Sequence, residues 1–167
     1  MNKYAKFWIK KLNLSKHPEG GYFAESYKSD KIIRLSGYDG ARSACTAIYY
    51  LLTGNQFASF HIMKSDEIWH FYSGSSMTLY IIDSKGKLKE AFLGPNISKG
   101  ETFQLTIKSG CWFAASLNEK RSYSLVGCTV SPGFEYKDLE IGNRKRLAEL
   151  YPQHKQIIER YTKPSVK

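Results

Sequence analysis

The chain has 167 residues, of which 42% are hydrophobic, 14% aromatic and 24% charged. This length suits one domain with one core, and the composition excludes an intrinsically disordered chain, which would have few aromatic residues. The 25 Lys and Arg against 15 Asp and Glu give a net charge of +10, but the basic residues are scattered along the chain. That pattern is typical of solvated surfaces and argues against nucleic-acid binding.

The cysteines and the N-terminus bear on the cellular compartment. Cys45, Cys111 and Cys128 are odd in number, have no CxxC spacing and lie in apolar runs. We therefore expect free thiols rather than a disulfide framework or a zinc ribbon. The N-terminus lacks the continuous apolar stretch of a signal peptide, and no run of 18 apolar residues occurs. The sequence thus predicts a cytoplasmic protein that does not associate with membranes.

The predicted elements begin with an amphipathic helix within residues 3–13, which ends before a turn at Pro18, Gly20 and Gly21. Strand patterns separated by turn residues follow at 22–27, 43–53, 59–63, 67–72, 77–82, 87–93, 103–107, 112–116 and 123–130. The pattern becomes helical again at 143–150 and 153–161, and 163–167 is expected to be a frayed tail.

This arrangement predicts the fold class. Strands of about five residues, spaced about 8–12 apart with turns between them, indicate an antiparallel sandwich or barrel. We expect a single all-β domain over 1–167. It comprises an N-terminal helix at about 3–13, a barrel at about 20–140 and C-terminal helices at about 143–161.

The densest group of titratable and aromatic residues is SFHIMKSDEIWHFYSG, at 59–74. Side chains alternate between the faces of a strand, which gives two sets that share a face. The sets are Ser59, His61 and Met63 on the first strand, and Glu67, Trp69 and Phe71 on the next. His61 and Glu67 are therefore expected to meet inside the barrel. His70 faces away unless a β-bulge re-aims it.

A His and a Glu on neighbouring inward-facing strands allow three interpretations. His61 and Glu67 share a divalent metal, or Glu67 orients His61 as a general base, or the two form a hydrogen-bonded pair without chemistry. Spacing alone leaves all three open. If Glu67 is ionised beside a buried His61, the two opposing effects predict a His61 pKa near neutrality.

Several motifs resemble the cupin superfamily. The pattern His61-x-Met63-x3-Glu67-x6-Gly74 is similar to the first cupin motif, and residues 100–113 are similar to the second. More closely, LNLSKHPEGGYFAESY, TAIYYLL, SFHIMKSDEIWHFYSG, SGCWFAA and YSLVGCTVSPGFEY resemble the cupin family catalogued as domain of unknown function 985, over about residues 10–161. The resemblance implies a cupin barrel, also called a jelly roll or double-stranded β-helix.

The chain departs from the general cupin pattern at two metal-ligand positions. Met63 stands where the second His of the first motif belongs, and Phe113 where the second motif supplies its His. Of the usual four ligands only His61 and Glu67 are present, and a thioether is a poor ligand for such ions. The resemblance therefore implies at most a weakly held divalent metal on His61 and Glu67, and no certain cofactor.

Metal-free barrels of this kind include the sugar-nucleotide 3,5-epimerases, which use a His base and a Tyr acid. That similarity implies an epimerase or isomerase with His61 as base and Tyr22, Tyr49 or Tyr123 as candidate acids. The alternative is a barrel that binds or stores a small, possibly carbohydrate-like molecule without turnover. Arg34, Arg42 and Arg121 form no evident cluster for a diphosphate, and the sequence leaves both the substrate and the existence of catalysis open.

The remaining expectations concern ligand contacts and assembly. Candidate ligand-binding residues are Ser59, Met63, Trp69, Gln104, Trp112, Tyr22 and Glu25. The loop at 132–136 is expected to cap the mouth of the barrel, with Glu135 or Asp138 near the site. We expect a homodimer, because exposed sheet edges invite pairing, with Trp8 and 22–27 as interface candidates.

Overall fold

The structure, a computed structural model, describes residues 1–164, so the last three residues of the predicted tail lie outside it. The helices are α1 Lys3–Lys11, α2 Arg144–Leu150 and α3 Lys155–Arg160, with 3-10 turns at Ile97–Lys99, Tyr136–Asp138 and Pro152–His154. The strands are β1 Ser15–Lys16, β2 Tyr22–Lys28, β3 Ile32–Ile33, β4 Arg42–Ser43, β5 Thr46–Thr53, β6 Phe57–Met63, β7 Asp66–Gly74, β8 Met77–Ile82, β9 Leu88–Leu93, β10 Gln104–Ile107, β11 Trp112–Leu117, β12 Tyr123–Ser131 and β13 Leu139–Ile141. Within residues 1–164, no helix has the length and apolar character needed to cross a membrane.

Two antiparallel sheets form the barrel. One has the strand order β1-β2-β5-β12-β7-β10 and the other β13-β6-β11-β8-β9, and β3 pairs with β4 beside them. The inward-facing side chains of both sheets make the main core, which includes Trp69, Phe113, Leu79 and Val126. The predicted all-β barrel with short helices near both ends is confirmed.

Helices cover the outer faces of both sheets. Helix α1 packs on β5 and β12, where Ala5 joins Leu51 and Leu125 in a second apolar cluster. Helices α2 and α3 cover the other sheet through a third cluster that includes Trp112 and Ile158. The central strands are therefore apolar on both faces, which removes the simple apolar–polar alternation of a half-exposed sheet.

The loop between β1 and β2 is locked against the barrel. Gly20 and Gly21 have positive φ angles of 127° and 70°, which side chains other than glycine rarely adopt. A Cβ atom on Gly20 would also collide with the carbonyl of Phe57. The Tyr50 hydroxyl donates to the Gly20 carbonyl at 2.8 Å. The Ser59 amide donates to the Glu19 carbonyl at 3.0 Å. This loop holds Glu19 in the barrel interior.

An irregularity in β6 decides which of its side chains face inward. Against β11, Ala58 is opposite Ala115 and His61 is opposite Phe113, so β6 has one extra residue between these pairs. The Ser59 side chain donates to the carbonyl of Tyr161 at 3.4 Å, on the side of the C-terminal helices. His61 then returns to the inner face, as expected beyond a β-bulge.

Candidate functional site

A cavity of about 110 Å³ lies between the two sheets. Its lining combines apolar side chains with titratable ones. The apolar and aromatic lining residues are Phe23, Ile48, Tyr50, Met63, Trp69, Val130, Phe134 and Tyr136, and the polar or titratable ones are His17, Glu19, Glu25, Thr46, Glu67 and Cys128. Glu25 and Tyr136 are exposed and mark the mouth, whereas Glu19, Glu67 and Trp69 are buried.

Glu19 and His61 form a buried pair at the inner end of the site. His61 is 1% exposed. Its Nδ1 lies 2.8 Å from the carbonyl oxygen of Ser59, and its Nε2 lies 3.5 Å from Oε2 of Glu19. Burial lowers the pKa of His61 to about 3 and raises the pKa of Glu19 well above its ordinary value. The imidazole of His61 is therefore uncharged at neutral pH, and burial favours the protonated form of Glu19. The expected near-neutral pKa of His61 is wrong because burial dominates.

His17 lies on the other side of Glu19. Its Nδ1 accepts a hydrogen bond from the Glu19 amide at 3.4 Å and lies 3.7 Å from Oε2 of Glu19. The ring packs edge-on against Phe23 at a centroid distance of 4.6 Å. Burial, with a smaller contribution from the charge of Lys163, lowers the pKa of His17 to about 4. Both imidazoles at the site are thus uncharged at neutral pH.

Glu67 lines the cavity and titrates near neutrality. It is 7% exposed. Burial raises its pKa to about 7, and side-chain hydrogen bonds with Trp69 and Cys128 make this rise smaller than burial alone would. The indole Nε1 of Trp69, itself 1% exposed, is the Trp69 group that donates toward the Glu67 carboxyl group. A carboxyl group that titrates near neutral pH can both accept and return a proton.

Four of the residues predicted at the site line the cavity together: Met63, Trp69, Glu25 and Glu67. His61 is not among the lining residues. The carboxyl group within ion-pair distance of its ring belongs to Glu19 and not to Glu67. His61 thus contributes to the site through Glu19.

The other four predicted ligand-binding residues lie outside the cavity. Ser59 is turned outward by the bulge in β6, and Trp112 faces the C-terminal helices. Tyr22 packs in the cluster under α1. Gln104 lies on the outer face, where its Nε2 is 3.1 Å from Nδ1 of His70. His70 therefore faces away from the cavity, as regular strand alternation predicts.

The three tyrosines predicted as candidate acids also lie away from the cavity. Tyr22, Tyr49 and Tyr123 belong to the cluster beneath α1. The buried tyrosine in the lining is Tyr50, whose hydroxyl donates to Gly20 and whose pKa is raised well above its ordinary value by burial. Side chains alternate between the two faces along β5, and Tyr50 lies at one of the inward-facing positions. The sequence did contain this alternation.

Sequence reasoning also missed His17 and Glu19, because it interpreted HPEGG only as a turn. A signal was available in that string. Two consecutive glycines next to a His and a Glu suggest a backbone that is packed closely enough to carry side chains inward. The string also lies within one of the motifs that carry the family resemblance.

An ion pair lies beside the mouth of the cavity. Nε of Arg42 is 2.5 Å from Oδ2 of Asp138, and its Nη2 is 2.8 Å from Oδ1. The hydrogen bonds from Arg42 lower the pKa of Asp138. Glu135 pairs with Lys28 at 3.4 Å. Neither acidic residue lines the cavity, whereas Phe134, from the loop predicted to cap the mouth, does.

The donor set does not fit the divalent metal that the fold family implies. Within residues 1–164, no three His, Cys, Asp or Glu side chains are placed to share an ion. Both nitrogens of His61 already face Ser59 and Glu19. The ring of Phe113 lies 3.9 Å from that of His61, at the position of a usual ligand. These residues therefore do not form the usual metal site of a cupin.

Comparisons with known proteins show the family to which this chain belongs. Protein SO0799 of Shewanella oneidensis has 36% identity and a TM-score of 0.89, with 99% of each chain covered. A hypothetical protein from Leishmania major has 34% identity and a TM-score of 0.90, covering 96% of this chain and 99% of that one. The uncharacterized protein YML079W of Saccharomyces cerevisiae is 28% identical over 143 residues, 78% of this chain and 71% of that protein.

A more distant likeness extends to an enzyme of known activity. Oxalate decarboxylase from Bacillus subtilis matches with a TM-score of 0.57 and 14% identity, over 91% of this chain and 37% of that one, which shows a shared fold alone. The family model described as "Cupin superfamily (DUF985)" matches residues 6–142. The barrel, its motifs and this match agree, and the chain belongs to the DUF985 family of the cupin superfamily.

Proposed function

We propose that this cupin binds a small molecule in the barrel cavity and transfers a proton on it, as an isomerase or epimerase of a small carbonyl compound. The observation that carries the proposal is the position of Glu67, a buried carboxyl group on the wall of an open cavity. Its pKa of about 7 matches the requirement of a general base that works near neutral pH.

Glu67 suits the role of base better than His61. His61 lies behind Glu19, and its pKa of about 3 leaves it a weak base. Glu19 and Glu67 line the same cavity but differ in environment, and such pairs of carboxyl groups divide acid and base roles in many enzymes. Glu67 removes the proton next to the substrate carbonyl. When the substrate is bound, the hydroxyl of protonated Glu19 turns from Nε2 of His61 to the oxygen on which charge develops. Glu67 then delivers the proton to the neighbouring carbon while the hydroxyl proton passes between the two oxygens, which gives the isomer, or to the opposite face of the same carbon after the planar intermediate has turned over, which gives the epimer. His61 acts as a positioning residue for Glu19.

The proposal is tested by hydrogen exchange at carbon. The purified protein is incubated in deuterium oxide with a panel of small hydroxy and amino carbonyl compounds, and deuterium uptake is measured by mass spectrometry. Glu67→Gln should slow the exchange by about 10²–10⁴-fold, the usual contribution of a general base. Glu90→Gln is the matched control, because Glu90 is exposed on β9 and is not among the lining residues. Exchange that is equal in both variants would contradict the role of Glu67.

A second candidate function is binding without turnover. The observation that favours it is Tyr50, the buried tyrosine of the lining, whose hydroxyl is already donated to the Gly20 carbonyl. A tyrosine held in this way is not free to act as the acid of an epimerase. A ligand that binds in the cavity of the wild-type protein while no compound of the panel exchanges would favour this alternative.

We also propose that the chain forms a homodimer through the edge of β2. Strand β1 pairs with only two residues of β2, Tyr22 and Phe23. Along the same edge of β2, the exposed residues 25–28 have no strand partner in the described chain. Trp8 suits an interface less well, because its Nε1 donates to the Tyr123 hydroxyl at 3.3 Å and it packs within the chain. Sedimentation should give twice the chain mass of 19.1 kDa, and Glu25→Pro should lower it to one chain mass.

We propose that the protein is cytoplasmic. Cys45, Cys111 and Cys128 have free thiols in the structure, and free thiols persist in a reducing compartment. Cell fractionation of the tagged protein tests it directly, and recovery from the medium or an oxidising compartment would contradict it.

A further inference from the structure

We propose that the barrel binds an uncharged three-carbon hydroxy ketone or hydroxy aldehyde, held between Glu67 and Thr46. The inference rests on the proposed function for the proton transfer, and it goes further by naming the substrate class and a second residue that selects it. It comes from the strand register under the cavity, a buried hydroxyl group, and the charge and size of the cavity.

The register of three strands places Thr46, Val130 and Glu67 in one row across the cavity wall. Val130 on β12 is the partner of Thr46 on β5 and of Glu67 on β7, and all three side chains line the cavity. Neighbouring strands lie about 4.8 Å apart, so the backbones of Thr46 and Glu67 are separated by about 10 Å, with Val130 between them. A short molecule that lies on the Val130 side chain can therefore reach both polar side chains.

Thr46 supplies a buried hydroxyl group at the opposite end of this row from Glu67. It is 3% exposed, and its Oγ1 accepts a hydrogen bond from the Phe134 amide at 2.9 Å, the one hydrogen bond that this side chain makes within residues 1–164. A hydroxyl group that accepts a hydrogen bond still has its own proton to donate. That proton is suited to the hydroxyl oxygen of a bound molecule, next to the carbon that Glu67 deprotonates.

The charge of the lining favours an uncharged molecule. Among the described residues, the lining includes neither Lys nor Arg to pair with an anion, and Lys163 at the buried end donates to the Pro18 carbonyl. Burying an unpaired charge is costly, which disfavours phosphate esters and carboxylic acids. An ammonium group in place of the substrate hydroxyl would leave the Thr46 proton without an acceptor.

The size of the cavity limits the length of the molecule. Because an apolar cavity of about 150 Å³ holds benzene, the volume of about 110 Å³ limits an enclosed molecule to about five non-hydrogen atoms. A hydroxy ketone or hydroxy aldehyde with three carbons and two oxygens meets this limit. Its methyl group would pack on the apolar part of the lining, which includes Phe23 and Ile48.

The reaction on such a molecule balances without a co-reactant. Glu67 removes a proton from the carbon that bears the hydroxyl group, and the electron pair of that C–H bond forms the double bond of an enediolate. The hydroxyl proton passes to the former carbonyl oxygen, and Glu67 delivers its proton to the neighbouring carbon. Hydroxyacetone and lactaldehyde are thereby interconverted, with no oxidant or reductant.

The first test compares molecules of similar shape and different charge. Ligand-observed NMR with the full-length protein at about pH 7, where glycolate is an anion and aminoacetone a cation, measures the affinities of both and of hydroxyacetone. Hydroxyacetone should bind at least about 10-fold more tightly than either charged analogue. Equal or tighter binding of a charged analogue would overturn the proposal. The absence of hydroxyacetone binding up to about 50 mM, a weak limit for so small a ligand, would overturn it as well.

The second test removes the hydroxyl group from either partner of the expected contact. Butan-2-one has a methyl group in place of the hydroxyl group, and it should bind about 10-fold more weakly than hydroxyacetone. Thr46→Val should weaken hydroxyacetone binding about 10-fold and change the affinity for butan-2-one by less than about 2-fold, so butan-2-one reports an intact cavity. Thr46→Ser retains the hydroxyl group and should keep most of the affinity.

Two results would contradict the role of Thr46. One is hydroxyacetone binding that is unchanged in Thr46→Val. The other is equal affinity of the wild-type protein for hydroxyacetone and butan-2-one, a comparison that does not depend on the folding of any variant.

The outcome is distinguishable from that of the proposed function. Glu67-dependent deuterium exchange on charged or larger carbonyl compounds, but not on hydroxyacetone, would overturn the substrate class and leave the proton transfer intact. Selective hydroxyacetone binding without deuterium exchange or lactaldehyde formation would leave the ligand class and the Thr46 contact intact and overturn the catalytic proposal.

Discussion

The structure contains two groups of buried acidic side chains, and they differ in whether a cation is paired with them. At the mouth, Asp138 is held by two hydrogen bonds from Arg42, whose Nη1 also donates to the carbonyls of Asp39, Gly40 and Ala41. In the cavity, Glu19 and Glu67 have no ion pair with Lys or Arg among the described residues. The pKa of Asp138 is lowered as a result, and the pKa values of both glutamates are raised.

This difference separates a structural carboxylate from carboxyl groups that suit binding or catalysis. A paired carboxylate keeps its charge and fixes the loop that contains it. An unpaired buried carboxyl group changes protonation state near physiological pH, which costs stability and is typical of functional sites. One chemical change, carboxyl to amide, should therefore have a different effect at each of the three sites.

The largest effect is expected at Asp138. Asp138→Asn removes the charge that neutralises Arg42 and leaves a buried cation, so the melting temperature should fall by about 10 °C. Thermal unfolding followed by circular dichroism measures the change. The double variant Arg42→Met with Asp138→Leu removes both charges and should recover most of the loss. A double variant no more stable than Asp138→Asn would show that the charge of Arg42 is not the cause.

A smaller, pH-dependent effect is expected at Glu67. Burial raises its pKa from 4.5 to about 7, so the folded state retains the proton over a range in which the unfolded state has lost it. The stabilisation is complete below about pH 4.5 and is lost as the pH rises through about 7. Because glutamine does not titrate, the stability of the wild type relative to Glu67→Gln should fall by about 3 kcal/mol from pH 4 to pH 8.

Urea unfolding of both proteins at each pH measures this difference. The imidazoles of His17 and His61 have lowered pKa values and lose stabilisation as the pH falls below about 6.5. Their contribution is the same in the two proteins and cancels in the difference. A difference that does not vary with pH would mean that Glu67 is ionised throughout and is not the group that titrates near neutrality.

The smallest effect is expected at Glu19. Burial favours the protonated form of its carboxyl group, which faces Nε2 of His61, and the amide of Glu19→Gln can donate to the same nitrogen. The free energy of unfolding should change by less than about 1 kcal/mol at pH 7. A loss comparable to that of Asp138→Asn would show that Glu19 is ionised in the folded protein.

The sequence was sufficient for the barrel and for part of the site. Alternation along the strand after the Lys64–Asp66 turn correctly placed Glu67 and Trp69 on the inner face and His70 on the outer one. The family resemblance was also sufficient for the jelly-roll topology. These inferences hold because period two is a local property of a regular strand.

Some residues lie on a different face from the one that the sequence predicted. The physical causes of these differences are not contained in local sequence patterns. Ser59 changes face because β6 has one extra residue relative to β11. Trp112 and Tyr22 are apolar residues under helices, and a strand that is buried on both sides does not reveal which face borders the cavity. His17 and Glu19 lie in a loop, where no periodicity exists and only tertiary contacts direct the side chains.

The contacts of Tyr161 and Lys163 with segments near the site have a consequence for how the chain folds. The Tyr161 carbonyl accepts hydrogen bonds from the Phe60 amide at 2.8 Å and from the Ser59 side chain, 102 positions away. Lys163 donates to Pro18 across 145 positions. Contacts between such distant segments form late, because the entropy of closing a long loop must be met first. During synthesis, the cavity can therefore acquire its final shape only after the segment that contains Tyr161 and Lys163 has left the ribosome. In refolding experiments, ligand binding should lag behind strand formation.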